Sequence, residues 1–283
     1  MKFVSYTRCG VSGFGAAVGG GYVDLTGRLG EGIVNLKQAI AAEKLGAATT
    51  YLAGRSTEFT EADISLLPVI PDPGKILCIG LNYETHRAET RRPDAKFPTV
   101  FTRFADTQVA HGQPLLRPRV SDMFDFEGEL AVVIGRGGRY IAEETAMAHV
   151  AGYACYNDAT ARDWQRHTHQ FTPGKNFPAT GAFGPALVTP DEVGDYTRLP
   201  IVTRLNGTVM QQATLADLIF PIARLIAYCS SFTPLSPGDV ILTGTPGGVG
   251  DRREPPVFMK PGDVFDVEIG VVGRLVNPIG QEG

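Results

Sequence analysis

The run Leu130-Ala131-Val132-Val133-Ile134 constrains this chain more than any other stretch. It is aliphatic throughout and closed by Gly135, so it reads as a buried strand. Directly before it stands Asp125-Phe126-Glu127-Gly128-Glu129. Side chains alternate between the faces of a strand, so Glu127 and Glu129 point the same way. Two carboxylates side by side where a buried strand begins repel each other and lose hydration. Such a pair must share a proton, find cationic partners or hold a metal. A second apolar run, Val150 to Tyr156, ends in Asn157-Asp158 and could bring a third carboxylate to the same place. Three oxygen ligands with no Cys or His nearby suit a hard divalent cation, Mg2+ or Mn2+, better than zinc. Taken alone, a Glu-x-Glu is more often a solvated edge pair, with Asp158 as a helix N-cap.

Composition narrows the classes further. A chain of 283 residues, 43% hydrophobic and 20% charged, can bury a large core as one domain or two unequal ones. A net charge of −4 with no basic cluster argues against nucleic acid or an anionic membrane as partner. Cys9, Cys78, Cys155 and Cys229 form no Cys-x-x-Cys pair, and three of them lie in apolar surroundings. Buried free thiols in a reducing compartment are the simplest reading. Neither a signal peptide nor a run of about 18 apolar residues is present, so the expectation is a soluble, cytoplasmic protein.

Residues 1–70 read as a small separate unit of short strands and one helix. Gly19-Gly20-Gly21 is a hairpin turn, lacking the strand-then-helix setting of a phosphate loop. Asn35 caps an expected helix from Leu36 to Leu45, stopped by Gly46. Prolines 68, 71 and 73 mark an extended connector. After it, Lys75 to Gly80 is a strand, and His86 and Glu89 follow at helical spacing. There a carboxylate can orient the imidazole and raise its basicity, although a surface ion pair is the plainer alternative. The polar stretch around Arg91, Arg92, Pro93, Asp94 and Lys96 reads as a mobile loop able to close over a site. His111 is a loop residue without an evident partner, and Trp164 is most simply core. His167 and His169 would need a third ligand to hold a metal. Arg162 and Gln165 share a helix face, with Asp163 on another side. Leu218 to Ser230 reads as an apolar helix. Thr245 can donate its hydroxyl or its backbone N–H to a carboxylate.

Several of these motifs occur in one order that resembles the fumarylacetoacetate hydrolase superfamily. They are Asp-Phe-Glu-Gly-Glu-Leu from Asp125, Asn-Asp-Ala-Thr-Ala-Arg-Asp from Asn157, Gly174-Lys175, Leu205-Asn206-Gly207, Pro237-Gly238-Asp239 and Thr243-Gly244-Thr245-Pro246. The resemblance covers residues 74–283 and leaves 1–70 as a variable N-terminal domain. It implies a mixed, β-rich α/β fold: a C-terminal catalytic domain of rolled mixed β-sheets with short helices, and a small N-terminal β/α domain. It also implies metal ligation by Glu127, Glu129 and Asp158, with Ca2+ as an ion a crystal could carry instead. His86 and Glu89 would be the dyad of a lid segment, Lys175 the active-site lysine, and Arg162 and Gln165 substrate contacts. Arg103 stands where the family usually has Lys, and Pro178 where it has Asp, so both positions depart from the pattern. A homodimer is expected on the same ground.

The activity expected from these residues is cleavage of a C–C bond in a 2,4-dioxo acid, with His86 activating water and pyruvate leaving as an enolate. The same enolate arises when a 2-hydroxyhepta-2,4-diene-1,7-dioate-type acid isomerises or when oxaloacetate loses carbon dioxide. Isomerase, tautomerase and decarboxylase are therefore the alternatives. A non-enzymatic metal-binding protein is the remote one, since it would need neither His86 nor Lys175.

Overall fold

Gly128–Ile134 forms the strand expected of the aliphatic run, and every residue in it is buried. It pairs antiparallel with Val150–Asp158, placing Gly128 opposite Asn157 and Glu129 opposite Tyr156. Val240–Leu242 runs antiparallel along its other edge. The computed structural model describes every residue except Arg92 and Asp94, two members of the polar loop read as mobile, which lie outside the described residues. Among those described, the strand sits inside an eleven-stranded sheet. Its main path runs Gly21–Asp24, Val11–Val18, Lys2–Arg8, Gly181–Val188, Val150–Asp158, Gly128–Ile134, Val240–Leu242, Ile76–Gly80 and Thr99–Arg103. Cover on both faces explains why the central strands are continuously apolar rather than alternating.

A second sheet follows the order Thr208–Thr214, Pro200–Leu205, Val264–Ile269, Gly273–Gln281 and Leu115–Arg117. The two sheets meet at Phe126, whose ring stacks on Phe265 at 5.0 Å. They meet again at Gly128, where a Cβ would come within 2.2 Å of Thr203 Cγ2. The residue between the two glutamates is glycine because the second sheet lies directly against it. The fold is mixed α/β and rich in strand, with short helices. No helix among the described residues is long and apolar enough to cross a membrane.

The stretch read as a separate N-terminal unit shares a sheet and a core with the rest. Lys2 and Phe3 pair with Val188 and Leu187. Phe3, Phe14 and Leu36 lie in one buried cluster with Ala131, Val133 and Leu242. The hairpin at Gly19-Gly20 has φ of +58° and +87°, the mirror-image turn that suits strand twist. Asn35 caps its helix as expected, accepting from the Gln38 N–H at 2.8 Å. The helix itself is shorter than expected and ends at Ala41. Glu43, at φ +55°, breaks it, and Gly46 falls inside a second helix, Leu45–Leu52. The apolar helix expected from Leu218 begins instead at Ile222, because Pro221 fixes its start, and it runs to Phe232. Cys78, Cys155 and Cys229 are buried free thiols, while Cys9 is exposed.

Candidate active site

The antiparallel register brings the start of Gly128–Ile134 beside the end of Val150–Asp158, and the three acidic residues converge there. One carboxylate oxygen each from Glu127, Glu129 and Asp158 lies within 4.8 Å of the other two, and all three residues are buried. Buried cations surround them. Lys175 Nζ donates to Glu127 Oε2 at 2.7 Å, to Asp158 Oδ2 at 2.6 Å and to the Asp158 carbonyl at 2.9 Å. Arg103 donates to Asp158 Oδ1 at 2.7 Å, and Arg162 approaches Glu127 Oε1 at 2.7 Å. Glu129 accepts only the Gly244 N–H, at 2.7 Å, and has no ion pair among the described residues.

Charge follows this geometry. Burial works against ionised Glu127, but Lys175 and Arg162 outweigh it and bring that carboxyl down to about 2. Burial pushes Glu129 well above the usual carboxylate range, and the charges of Asp158 and Glu127 add to the effect. With Asp125, which pairs with Arg162, four buried carboxylates face three buried cations. A hard dication fits the all-oxygen donor set, and its charge would favour the ionised form of Glu129.

Lys175 is buried, as an active-site lysine would be, but all three of its protons are held by Glu127 and Asp158. Here it holds the two carboxylates in place, and it also lines the cavity. Arg103 fills the lysine position of the motif by binding Asp158, the Ala159 carbonyl at 3.0 Å and Thr180 at 2.7 Å. Its fork suits several oxygens at once. The Thr245 hydroxyl is also committed, donating to the Gly128 carbonyl at 2.9 Å and accepting from Gln211 at 2.7 Å.

His86 and Glu89 form the expected dyad on the helix Glu84–Glu89, with Nδ1 and Oε1 2.7 Å apart. The other Glu89 oxygen accepts the Gly248 N–H at 2.8 Å, which anchors the helix over the site. His86 is only 7% exposed. It shares a cavity of about 100 Å³ with Glu127, Glu129, Arg162, Lys175 and Thr245. Gln165 also lines that cavity and accepts from Arg162 at 3.0 Å.

Other histidines and Trp164 stay outside the chemistry. His111 does have a partner, contrary to expectation: its Nδ1 accepts the Val276 N–H at 3.1 Å. Trp164 is half-buried rather than core, set edge-on to Phe177. His167 and His169 are exposed and join no acidic group among the described residues.

Asp125 opens the acidic motif, and its role emerges only in the fold. It accepts from Arg162 Nε at 2.8 Å and from the N–H groups of Gly250 and Asp251 at 2.8 and 3.0 Å. The i, i+2, i+4 spacing of Asp125, Glu127 and Glu129 was the signal that could have found it. Gln211 gave no such signal: it lies 83 residues from Gly128, whose N–H it accepts at 3.0 Å.

Known proteins resemble this chain in sequence and in fold. The family profile for the Fumarylacetoacetate (FAA) hydrolase C-terminal region matches residues 75–280. A Xenopus laevis protein named oxaloacetate tautomerase fahd2, mitochondrial, is 44% identical over 237 residues, 83% of this chain and 74% of its own. The crystal structure of 2-hydroxyhepta-2,4-diene-1,7-dioate isomerase from Mycobacterium marinum is 28% identical with a TM-score of 0.78, covering 100% of this chain and 99% of its own. Maleylpyruvate hydrolase from Sphingobium sp. SYK-6, in complex with manganese (II) ion and pyruvate, is 26% identical with a TM-score of 0.84, covering 100% of both chains. With motif order, fold and buried acidic triad all in agreement, this chain is an enzyme of the fumarylacetoacetate hydrolase family.

Proposed function

We propose that this enzyme interconverts the keto and enol forms of a short 2-oxo acid, with oxaloacetate the first candidate substrate. The observation that carries this reading is the state of His86. One ring nitrogen is tied to Glu89, and among the described residues no hydrogen bond is made by the other, in a cavity shared with Glu127 and Glu129 of the converging carboxylates. Tautomerisation needs one base beside one polarised carbonyl, and these residues supply both requirements. The name of the Xenopus laevis relative supports the same choice. Hydrolysis of a 2,4-dioxo acid, the activity expected from sequence, becomes the second reading. It is favoured by the likeness to maleylpyruvate hydrolase, at lower identity.

Glu127, Glu129 and Asp158 would hold Mg2+ or Mn2+, which when bound supplies Lewis acidity at the 2-oxo group. His86 Nε2 takes a proton from C3. Glu89 fixes the tautomer through Nδ1 and stabilises the imidazolium. The same proton, or one exchanged at the imidazole, is returned to the oxygen on C2, so the turnover balances. Arg162 and Gln165 help hold the substrate, and the helix Glu84–Glu89 keeps water out. A homodimer stays part of the proposal, with exposed Phe104 and Phe232 as apolar surface for a second copy. Light scattering at micromolar concentration tests it.

The direct test follows the ultraviolet decay of enol-oxaloacetate in parallel with acylpyruvate cleavage, with Mg2+ and with excess chelator. Metal-dependent acceleration of the decay supports the tautomerase. Cleavage without acceleration replaces it with the hydrolase.

A further inference from the structure

The mouth of the cavity carries more positive charge than its own contacts use. Arg166 and Arg252 both line it, and both pair with the single carboxylate of Asp251, Arg252 through Nε at 3.3 Å. The Asp251 side chain is 7% exposed, against 46% and 40% for the two arginines. One anion cannot neutralise two guanidinium groups, so the rim keeps a positive charge facing the opening. Deeper in the wall, Arg162 NH2 is buried and has no protein hydrogen-bond partner. Its other nitrogens are committed to Asp125, Glu127 and Gln165.

The placement of Arg252 is fixed by backbone. It ends the tight turn Gly250–Arg252, whose first two N–H groups are held by Asp125. A Cβ on Gly250 would fall 1.8 Å from the Val257 carbonyl and 2.6 Å from Asp125 Oδ1, so the turn has no alternative seat. Asp125 therefore sets the positions of Arg162 and Arg252 together. Glu127 and Glu129 of the acidic triad line the same cavity.

We propose that Arg252 is the specificity-determining residue that receives a second, remote carboxylate of the substrate, with Arg162 NH2 as the inner donor. The inference rests on the 2-oxo acid reading of the site and deepens it: the preferred substrates are 2-oxo dicarboxylates, and monocarboxylates of equal length are disfavoured. A group recognised by a charged hydrogen bond is discriminated far more strongly than one recognised by shape alone.

The test measures binding of unreactive probes to the Mg2+-loaded protein by calorimetry. Malate carries the second carboxylate, and 2-hydroxybutanoate has the same chain length without it. The wild type is expected to prefer malate. In Arg252→Met that preference falls by about 10- to 100-fold, the range of one charge-assisted hydrogen bond. Arg252→Lys, which keeps the charge but loses the fork, retains part of it. A wild type with no preference, or an Arg252→Met protein with the wild-type preference, overturns the assignment. Enol-oxaloacetate decay is measured on the same wild-type sample. A preference for malate without acceleration of that decay removes the tautomerase and leaves the role of Arg252 standing.

Discussion

Lys175 touches Asp158 twice, donating to its carboxylate at 2.6 Å and to its main-chain carbonyl at 2.9 Å. The remaining proton goes to Glu127. One buried ammonium thus joins two carboxylates, one from each of two facing strand ends, where their repulsion would otherwise open the site. Burial works against its charge, but Asp158 and Glu127 outweigh that and raise its pKa.

Lys175→Met removes that charge and leaves buried anions unpaired, which costs roughly 3–5 kcal/mol. A dication restores part of the lost positive charge. Thermal unfolding in chelator is expected to show a large fall in Tm for the variant, and added Mg2+ should raise its Tm more than it raises the wild type's. Equal Tm values in chelator would contradict the pairing.

Glu129→Gln behaves differently, because Glu129 makes no ion pair among the described residues and its carboxyl is already pushed up by burial. The variant is expected to be at least as stable as the wild type in chelator. Its Mn2+ affinity, read by electron paramagnetic resonance, should fall by more than the roughly 10- to 100-fold that loss of an outer-shell partner costs. Unchanged affinity would remove Glu129 from the ligand set.

Gly128→Ala places a methyl group against Thr203 between the sheets. Overpacking of this kind costs roughly 1–3 kcal/mol. Chemical denaturation should show the loss, and the double variant Gly128→Ala/Thr203→Ser should recover part of it. Wild-type stability in Gly128→Ala would mean the sheets are less closely seated.

His111 gives the stability a pH dependence away from the site. Burial lowers its pKa, and the Val276 N–H needs an unprotonated Nδ1 to bond. Protonation therefore favours the unfolded chain. The contribution is complete above the unfolded value of about 6.5 and is lost as pH falls towards the lower folded value. Denaturation between pH 7 and pH 5 should show a smaller decline for His111→Asn than for the wild type. Identical slopes would assign the acid sensitivity elsewhere.

Local pattern made part of this legible. The run from Leu130 fixed a strand, period-two spacing aligned Glu127 with Glu129, and the spacing of His86 and Glu89 placed a dyad on one helical turn. The partners of those residues were less accessible. Arg103 and Lys175 reach the triad, and Gln211 reaches Gly128 between its two glutamates, through pairings across tens of residues, which no local periodicity encodes. The N-terminal strands read as separate because the pairing of Lys2 and Phe3 with Val188 and Leu187, and the core they share with Ala131 and Val133, span more than a hundred residues of sequence. From sequence the dyad suits water activation, and so hydrolysis. The same dyad serves proton transfer at carbon, and residue types do not separate those uses.

The central claim is that His86 moves the C3 proton of a 2-oxo acid beside the acidic triad. Deuterium exchange at C3 of oxaloacetate, followed by nuclear magnetic resonance with Mg2+ and corrected for background, tests it most directly. A base on one face should exchange one of the two C3 hydrogens preferentially. His86→Ala should lose this exchange by about 100- to 10,000-fold while binding Mn2+ as before, with Glu89→Gln between the two. Wild-type exchange in His86→Ala, or equal exchange of both hydrogens in the wild type, would contradict the account.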